Sequence, residues 1–327
     1  MPEFRTVDAG QAQIRVALEG SGPLVLMVHG FPESWYSYRH QITPVAQAGF
    51  TAAAMDMRGY GGSTRFTEVS DYDTEATIRD VLGVADALSP GRPVILIGHD
   101  WGAPTVYNAA LAHPDRFVAL CTMSVTYQGV PERDFAIVMK EMFDDQDRFF
   151  YQSYFREVGR AEAVFEKDPR EFLTKFYYAI SGDAKPGTWP MNATSKDAIN
   201  DILPVPPGFG PWMSDADMDY YVAEFSRSGF FGPLSRYRNA TRDFNFLQQF
   251  KGRTIEQPAF FIAGDKDGAF NMFNSSFDPL VGMRKLVTRL EGGHVLPGCG
   301  HWTQQERPKE VNALLVPWLT TLKGRVV

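Results

Sequence analysis

Three places in the chain set chemically able side chains at the ends of apolar runs. The first is "VILIGHDWGAP", residues 94–104, where four β-favouring residues run into Gly98-His99-Asp100-Trp101-Gly102 and a helical pattern follows. Glycines flanking a central residue are the frame of a strand–elbow–helix turn, whose tight packing lifts that residue's side chain out of the sheet. Serine is the usual occupant, but here it is Asp100. The second place is "GCGHWTQQERP", residues 298–308, with His301 in a glycine-rich turn before the last helical pattern. The third is "FFIAGDKDGAF", residues 260–270, a strand pattern that runs out into Asp265 and Asp267. Either acid could accept the imidazole Nδ1–H, fix the tautomer and stabilise the imidazolium. Taken singly each signal is weak: an Asp before a helix is commonly an N-cap, and Asp-x-Asp is commonly a solvated turn. Together, each after a strand and in the order nucleophile, acid, histidine, they point to one catalytic set.

The carboxylate at the elbow has a chemical consequence. A hydroxyl attacking a saturated carbon would form an ether, which an activated water does not easily open. A carboxylate attacking the same carbon forms an ester whose carbonyl belongs to the protein. A histidine–acid pair can then turn water on that carbonyl while N–H donors hold the developing charge. Asp100 therefore predicts a substrate with a leaving group on an sp3 carbon, and epoxides and alkyl halides are the obvious choices. "HGFPESW", residues 29–35, fits the same plan. It follows the apolar run "LVLMV", so its backbone can approach the elbow, and the N–H groups of Phe31 and Trp101 are candidates for an oxyanion hole. Gly30 leaves room, and Phe31–Pro32 is a candidate cis bond. Phe31, Trp35 and Trp101 are the expected walls of an apolar substrate pocket.

These residues need a scaffold. "EFRTV" and "AQIRVALE" alternate as an antiparallel edge hairpin would, and "LVLMV" and "TAAAM" read as buried strands. "SWYSYRHQITPVAQAG" reads as a helix ending near Gly49, and residues 74–89 as a helix with Thr74 as its N-cap. The elbow, a helix and the strand "VALCTM" continue a β-α-β series, which predicts a mostly parallel sheet flanked by helices. From residue 128 to 245 the rhythm is helical, with a loop-rich stretch at 182–212 and a Ser214–Asp217 capping box opening a helix that stops at Gly229. The β-α alternation resumes at "PAFFIAGD", "KLVTRLEG" reads as the last strand, and Pro317 predicts a kink or early break in the last helix. The expected organisation is a core of residues 1–127 and 246–327 interrupted by a helical cap, 128–245.

Composition excludes other classes. The chain has 327 residues, 44% of them apolar, and carries a formal net charge of −7, which leaves no basic face for nucleic acid. Cys121 and Cys299 make no disulfide framework, no H-E-x-x-H or Cys-x-x-Cys occurs, and "RGYGGS" has no phosphate-binding lysine after it, so no metal or cofactor is expected. No apolar run reaches membrane-spanning length and no signal peptide is read, so the expectation is a soluble, cytoplasmic protein. Its expected partners are a small apolar substrate and water, with no nucleic acid and no membrane. The oligomeric state stays open, a homodimer among the options.

Over nearly its full length the chain resembles the soluble epoxide hydrolases of the α/β-hydrolase fold. The resemblance is carried by "HGFPESWYSYRHQ", "DMRGYGGS", "GHDWGAP", "YFRE", "SGFFGPLSRYRN" and "GCGHWTQQERP". It implies that fold, a helical cap, no cofactor, and hydrolysis of an epoxide through a covalent alkyl-aspartyl ester. It implies Asp100 as nucleophile, His301 as base and Asp267, rather than Asp265, as orienting acid. It also implies two cap tyrosines that activate the epoxide oxygen, matched to Tyr154 in "SYFRE" and Tyr237 in "SRYRN". The runner-up is a haloalkane dehalogenase with the same Asp nucleophile. Against it, Phe31 stands where such an enzyme commonly has a second halide donor, and a departing halide needs no tyrosine proton. A third reading, a hydrolase fold kept as a small-molecule receptor, would show a broken nucleophile–base–acid set, and the set here is complete.

Overall fold

The apolar runs become strands of one sheet: β1 Glu3–Asp8, β2 Gln13–Gly20, β3 Leu24–Val28, β4 Thr51–Met55, β5 Val94–His99, β6 Phe117–Met123, β7 Ala259–Gly264 and β8 Leu290–Leu296. This computed structural model describes residues 2–190, 193–271 and 279–325. The strand order is β1-β2-β4-β3-β5-β6-β7-β8. β1 and β2 form the antiparallel edge hairpin, β2 runs antiparallel to β4, and β3 to β8 are parallel. The chain steps from β3 outward to β4 and then returns to β5 on the other side of β3. That reversal opens a crevice at the carboxyl ends of β3 and β5, where ligands of open α/β sheets bind.

β3 and β5 are buried along their whole length. Their alternate residues feed two cores, Leu24, Leu26, Val28, Val94 and Leu96 on one face and Val25, Met27, Ile95 and Ile97 on the other. Each such side chain, fully buried, stabilises the fold by roughly 1.5–3 kcal/mol. The crevice therefore sits on the most rigid part of the sheet. The helix Gly102–Ala112 starts directly above it. A Cβ on Gly102 would run into the Val28 carbonyl, so glycine is required for the helix to begin this close to β3.

Between β6 and β7 the described residues form helices and turns with no strand, from Phe135–Met142 to Ala240–Leu247. Polar ties fasten them to the sheet ends. Tyr177 Oη donates to the Pro32 carbonyl at 3.0 Å, Asp243 takes the Thr74 N–H at 2.6 Å, and Arg39 pairs with Asp217 at 3.0 Å. No helix of the described residues is long and apolar enough to cross a membrane.

Four local readings need correction. "SWYSYRHQITPVAQAG" is a 3-10 turn, Trp35–Tyr38, followed by a separate helix Ile42–Gln47. Pro44 sits in the first turn of the latter, where its missing N–H costs nothing. The helix Thr74–Leu88 is capped by Asp73, whose carboxylate takes the Ala76 N–H at 2.8 Å, and not by Thr74. "KLVTRLEG" is divided: Leu280, Met283 and Val287 repeat at helical spacing, the helix Pro279–Leu286 ends there, and β8 begins only at Leu290. Of the kink or early break expected in the last helix, the break does not occur: the helix runs through Pro317 to Thr321. Pro317 and Ala313 are both exposed, so the carbonyl that loses its partner is solvated.

Candidate active site

The loops that leave β3 and β5 start level, since Val28 pairs with Gly98. This brings Phe31 beside the elbow, and its N–H donates to Asp100 Oδ1 at 2.8 Å. The Phe31–Pro32 bond is cis. Asp100 itself has φ +50°, a left-handed conformation uncommon outside glycine and typical of strained functional turns. The N–H of Trp101 precedes the first turn of the following helix, where no intrahelical acceptor takes it.

Asp100 Oδ2 lies 3.5 Å from His301 Nε2. The other ring nitrogen, Nδ1, donates to Asp267 Oδ1 at 3.0 Å, and Ser124 Oγ lies 2.9 Å from the same nitrogen. Of the two acids that the sequence left open, Asp267 is the one that meets the ring. Asp265 takes the Gly298 N–H at 2.7 Å and braces the loop that carries His301. Burial opposes charge on all three groups, but their mutual attraction prevails. Asp100 is held below the ordinary carboxylate value mainly by His301, with His99 and the Phe31 N–H adding to it. Asp267 is likewise held low by His301 and Ser124. His301 is held well above its ordinary 6.5 by Asp267 and Asp100. A histidine raised in the folded state stabilises the fold fully below the unfolded value of about 6.5, and that contribution is lost as pH rises through the folded value.

Asp100→Asn keeps the shape of the carboxylate and removes its charge, as ester formation would. It is expected to lower the pH at which the His301 ring titrates, followed by proton–carbon NMR of the histidine rings. An unchanged or raised midpoint would show that the Asp100 charge does not govern His301.

A second, fully buried pair holds these parts in place, and sequence reasoning missed it. His99 Nδ1 lies 2.8 Å from Glu33 Oε2, and His99 Nε2 lies 2.7 Å from the His301 carbonyl oxygen. Glu33 also takes the Gly30 N–H at 2.8 Å and side-chain N–H groups of Gln304 and Gln305 at 3.0 and 3.1 Å. One carboxylate thus anchors the loop that carries Phe31 and, through His99, the loop that carries His301. The signal was present in "HGFPE", "GHDWG" and "HWTQQE", each of which puts a polar residue beside one already singled out.

The aromatic lining differs from expectation in two ways. Tyr237 meets Phe31 and Trp101 edge-on, with ring centroids 5.4 and 5.1 Å away. Tyr154 does not join it. Its ring packs against Phe149 at 5.9 Å, under the Arg160 guanidinium at 4.5 Å, and the charges around its hydroxyl are those of Arg160, Asp201 and Glu157. The tyrosine that faces the elbow is Tyr151, one turn earlier, whose ring lies 6.0 Å from that of Tyr237. Burial and then the negative charge of Asp100 push the Tyr151 and Tyr237 hydroxyls above the ordinary tyrosine value, so both stay protonated. The Tyr151 hydroxyl oxygen receives a hydrogen bond from Gln152 Nε2 at 2.8 Å, which leaves its own proton free to donate.

Trp35 is the second correction. Its side chain belongs to the core on the opposite face of the sheet, edge-on to Phe4 at 5.0 Å, with Nε1 donating to Tyr220 Oη at 2.6 Å. It forms no wall of this site. Phe176 and Trp189, which continue the ring cluster from Phe31 and Tyr151, stand there instead. A groove of about 520 Å³ beside Ala110, Pro114, Arg253 and Arg289 lies at the amino ends of the strands and contains none of these residues.

A family model described as alpha/beta hydrolase fold matches residues 23–308. The chain is similar to Epoxide hydrolase A of Mycobacterium tuberculosis, with 37% identity over 99% of each chain. Among solved structures it resembles an epoxide hydrolase from an endophytic Streptomyces, with a TM-score of 0.90 and 39% identity over 99% of this chain and 96% of that one. It also resembles Epoxide Hydrolase A from Mycobacterium thermoresistibile, with a TM-score of 0.90 and 34% identity over 98% of both chains.

Proposed function

The chain belongs to the alpha/beta hydrolase fold family and, within it, to the epoxide hydrolases, and on that premise we infer that it opens an epoxide to a vicinal diol through an ester on Asp100. The observation that carries this reading is the placement of the half-buried Asp100 carboxylate between a histidine–acid pair and two proton-bearing tyrosines. Residues 1–127 and 246–327 serve as the hydrolase core and 128–245 as the cap. The substrate is a small apolar epoxide, received among Phe31, Trp101, Tyr151, Tyr237, Phe176 and Trp189.

In the first step an Asp100 oxygen attacks one epoxide carbon and the C–O bond of the ring breaks. The departing oxygen would become an alkoxide, a far stronger base than water at neutral pH. Tyr151 and Tyr237 donate to it and one proton transfers as the bond breaks. The Asp100 charge is now spent in the ester, so His301 loses one of the two carboxylates that kept it protonated; its proton passes through solvent to the deprotonated tyrosine, and the neutral imidazole becomes a base. In the second step His301 takes a proton from water and the resulting hydroxide adds to the ester carbonyl. The Phe31 and Trp101 N–H groups hold the oxyanion, each such donor being worth roughly a hundredfold to a thousandfold in rate. Collapse breaks the acyl C–O bond, the proton of the newly formed carboxyl group passes to the departing oxygen, the diol leaves, and the Asp100 carboxylate and the His301 imidazolium are restored as an ion pair.

The same nucleophile would serve a haloalkane, but the donors present favour an oxygen. Phe31 offers no side-chain donor to a halide, and the two tyrosine hydroxyls that feel the Asp100 charge are donors a departing halide would not require. Turnover of styrene oxide, compared with halide release from 1-bromobutane, separates these readings, and activity on neither would favour a binding protein. Tyr151→Phe and Tyr237→Phe are each expected to slow ester formation, and the double variant to nearly stop it. Tyr154→Phe is expected to leave the rate close to that of the wild type. Fast epoxide turnover by a folded Tyr151→Phe/Tyr237→Phe protein, or a large loss in Tyr154→Phe alone, would overturn the tyrosine assignment.

A further inference from the structure

The loop that carries His301 is held by its backbone as well as by its ring. Three successive N–H groups point away from the loop, and each finds an acceptor outside it. Gly300 N–H donates to Glu306 Oε2 at 2.8 Å, His301 N–H to the Ile180 carbonyl at 2.9 Å, and Trp302 N–H to Glu306 Oε1 at 3.1 Å. The carboxylate of Glu306 therefore straddles the histidine, gripping the residue on either side of it. Its Oε2 takes a further N–H, that of Gly182 at 2.9 Å.

Gly182 belongs to the turn that follows the cap helix Pro169–Ala179. That turn touches both halves of the histidine–acid pair. The Ile180 carbonyl receives the His301 N–H, and the Gly182 carbonyl accepts from Lys266 Nζ at 2.8 Å, next to Asp267 in the chain. The contact is backbone on backbone, since a Cβ on Gly300 would strike Gly182 N and the Ser181 main chain. In the last turn of that helix the Tyr177 ring stacks on Trp302 with centroids 4.1 Å apart, and Trp302 Nε1 donates to the Tyr177 carbonyl at 2.7 Å.

We propose that Glu306 is a positioning residue for the water-activating half of the reaction, clamping the backbone on both sides of His301 and fixing it against the cap turn at Gly182. The proposal rests on the epoxide-hydrolase reading. Glu306 touches neither the elbow nor the imidazole; it acts by keeping Nε2 aimed where the water must be. All its donors are backbone N–H groups, so only a side chain with two acceptor oxygens satisfies them. A glutamine would turn an NH2 group against at least one of them and leave a buried N–H unpaired. The attack by Asp100 does not use His301 as a base, so a misaimed imidazole should slow only the second step.

The test is single-turnover reaction of the full chain with styrene oxide, following ester formation and decay separately by rapid quench and mass spectrometry of the intact protein. In Glu306→Gln the decay of the alkyl-enzyme is expected to slow on the order of a hundredfold, the cost of a misplacement of about 1 Å, while its formation stays near the wild-type rate. A merely structural role would lower the active fraction and leave both rate constants of the remaining enzyme unchanged. Should Glu306→Gln fold poorly, Glu306→Asp keeps both oxygens with a shorter reach and is expected to show the same one-sided loss, to a smaller degree. Wild-type decay in a folded Glu306→Gln protein, or equal slowing of both steps, would overturn the proposal while leaving the epoxide reading intact. Failure of the wild type to turn over any epoxide would overturn both.

Discussion

His301→Gln is expected to turn a catalyst into a reagent that reacts once. Ester formation needs the Asp100 carboxylate and the tyrosine protons but not the base, so the variant should alkylate and then stall. Its steady-state turnover should fall by roughly a hundredfold to ten-thousandfold, the usual contribution of a positioned general base. Mass spectrometry should find the protein heavier by the mass of one substrate, with the added mass on the peptide that contains Asp100. Glutamine still fills the buried volume beside Asp267, so thermal unfolding should show a folded protein. A folded variant that neither alkylates nor turns over would give His301 a different role. A smaller second effect belongs to Asp267→Asn, which should slow ester hydrolysis more than ester formation, because Asp267 orients the ring that activates water.

Asp100→Ala is expected to remove turnover completely and to yield no covalent adduct. The remaining groups would still bind substrate and present two tyrosine protons, but no side chain at the elbow could form the bond to carbon. The variant should fold, since the helix Gly102–Ala112 and β5 are held by burial on both faces and not by the carboxylate. It loses the ion pair with His301, so His301 should titrate at a lower pH than in the wild type. Slow residual turnover at a rate unaffected by His301→Gln would mean that water attacks the epoxide directly.

Much of this arrangement was legible in the chain because it depends on local signals. Continuous apolar runs marked β3 and β5 as buried strands, and the glycines around Asp100 marked the turn that only a close helix–strand contact requires. His301 and the Asp265/Asp267 pair stood out as polar residues just beyond strands. What was not legible is set by how elements face one another. Tyr151 and Tyr154 lie about 60° apart around a helix axis, so both share one side of the short helix Tyr151–Arg156, and only its tilt against Phe31 and Tyr237 decides which faces Asp100. Trp35 is close to Phe31 in sequence, but the chain turns into a 3-10 helix there and carries the indole to the other face of the sheet. Glu33 and His99 were passed over because a buried polar residue near a catalytic one looks, in sequence, like an ordinary surface neighbour.

The covalent role of Asp100 is tested most directly by where the new oxygen comes from. Enzyme in excess is mixed with styrene oxide in water enriched in heavy oxygen and stopped after one turnover. In the proposed sequence of steps the oxygen added to the substrate is an Asp100 oxygen, and the water oxygen enters the carboxylate when the ester is hydrolysed. The first diol should therefore carry unlabelled oxygen, and the heavy isotope should appear in the peptide containing Asp100 and in diol from later turnovers. Heavy oxygen fully incorporated in the first diol, with none in that peptide, would contradict the ester and leave Asp100 without its assigned role.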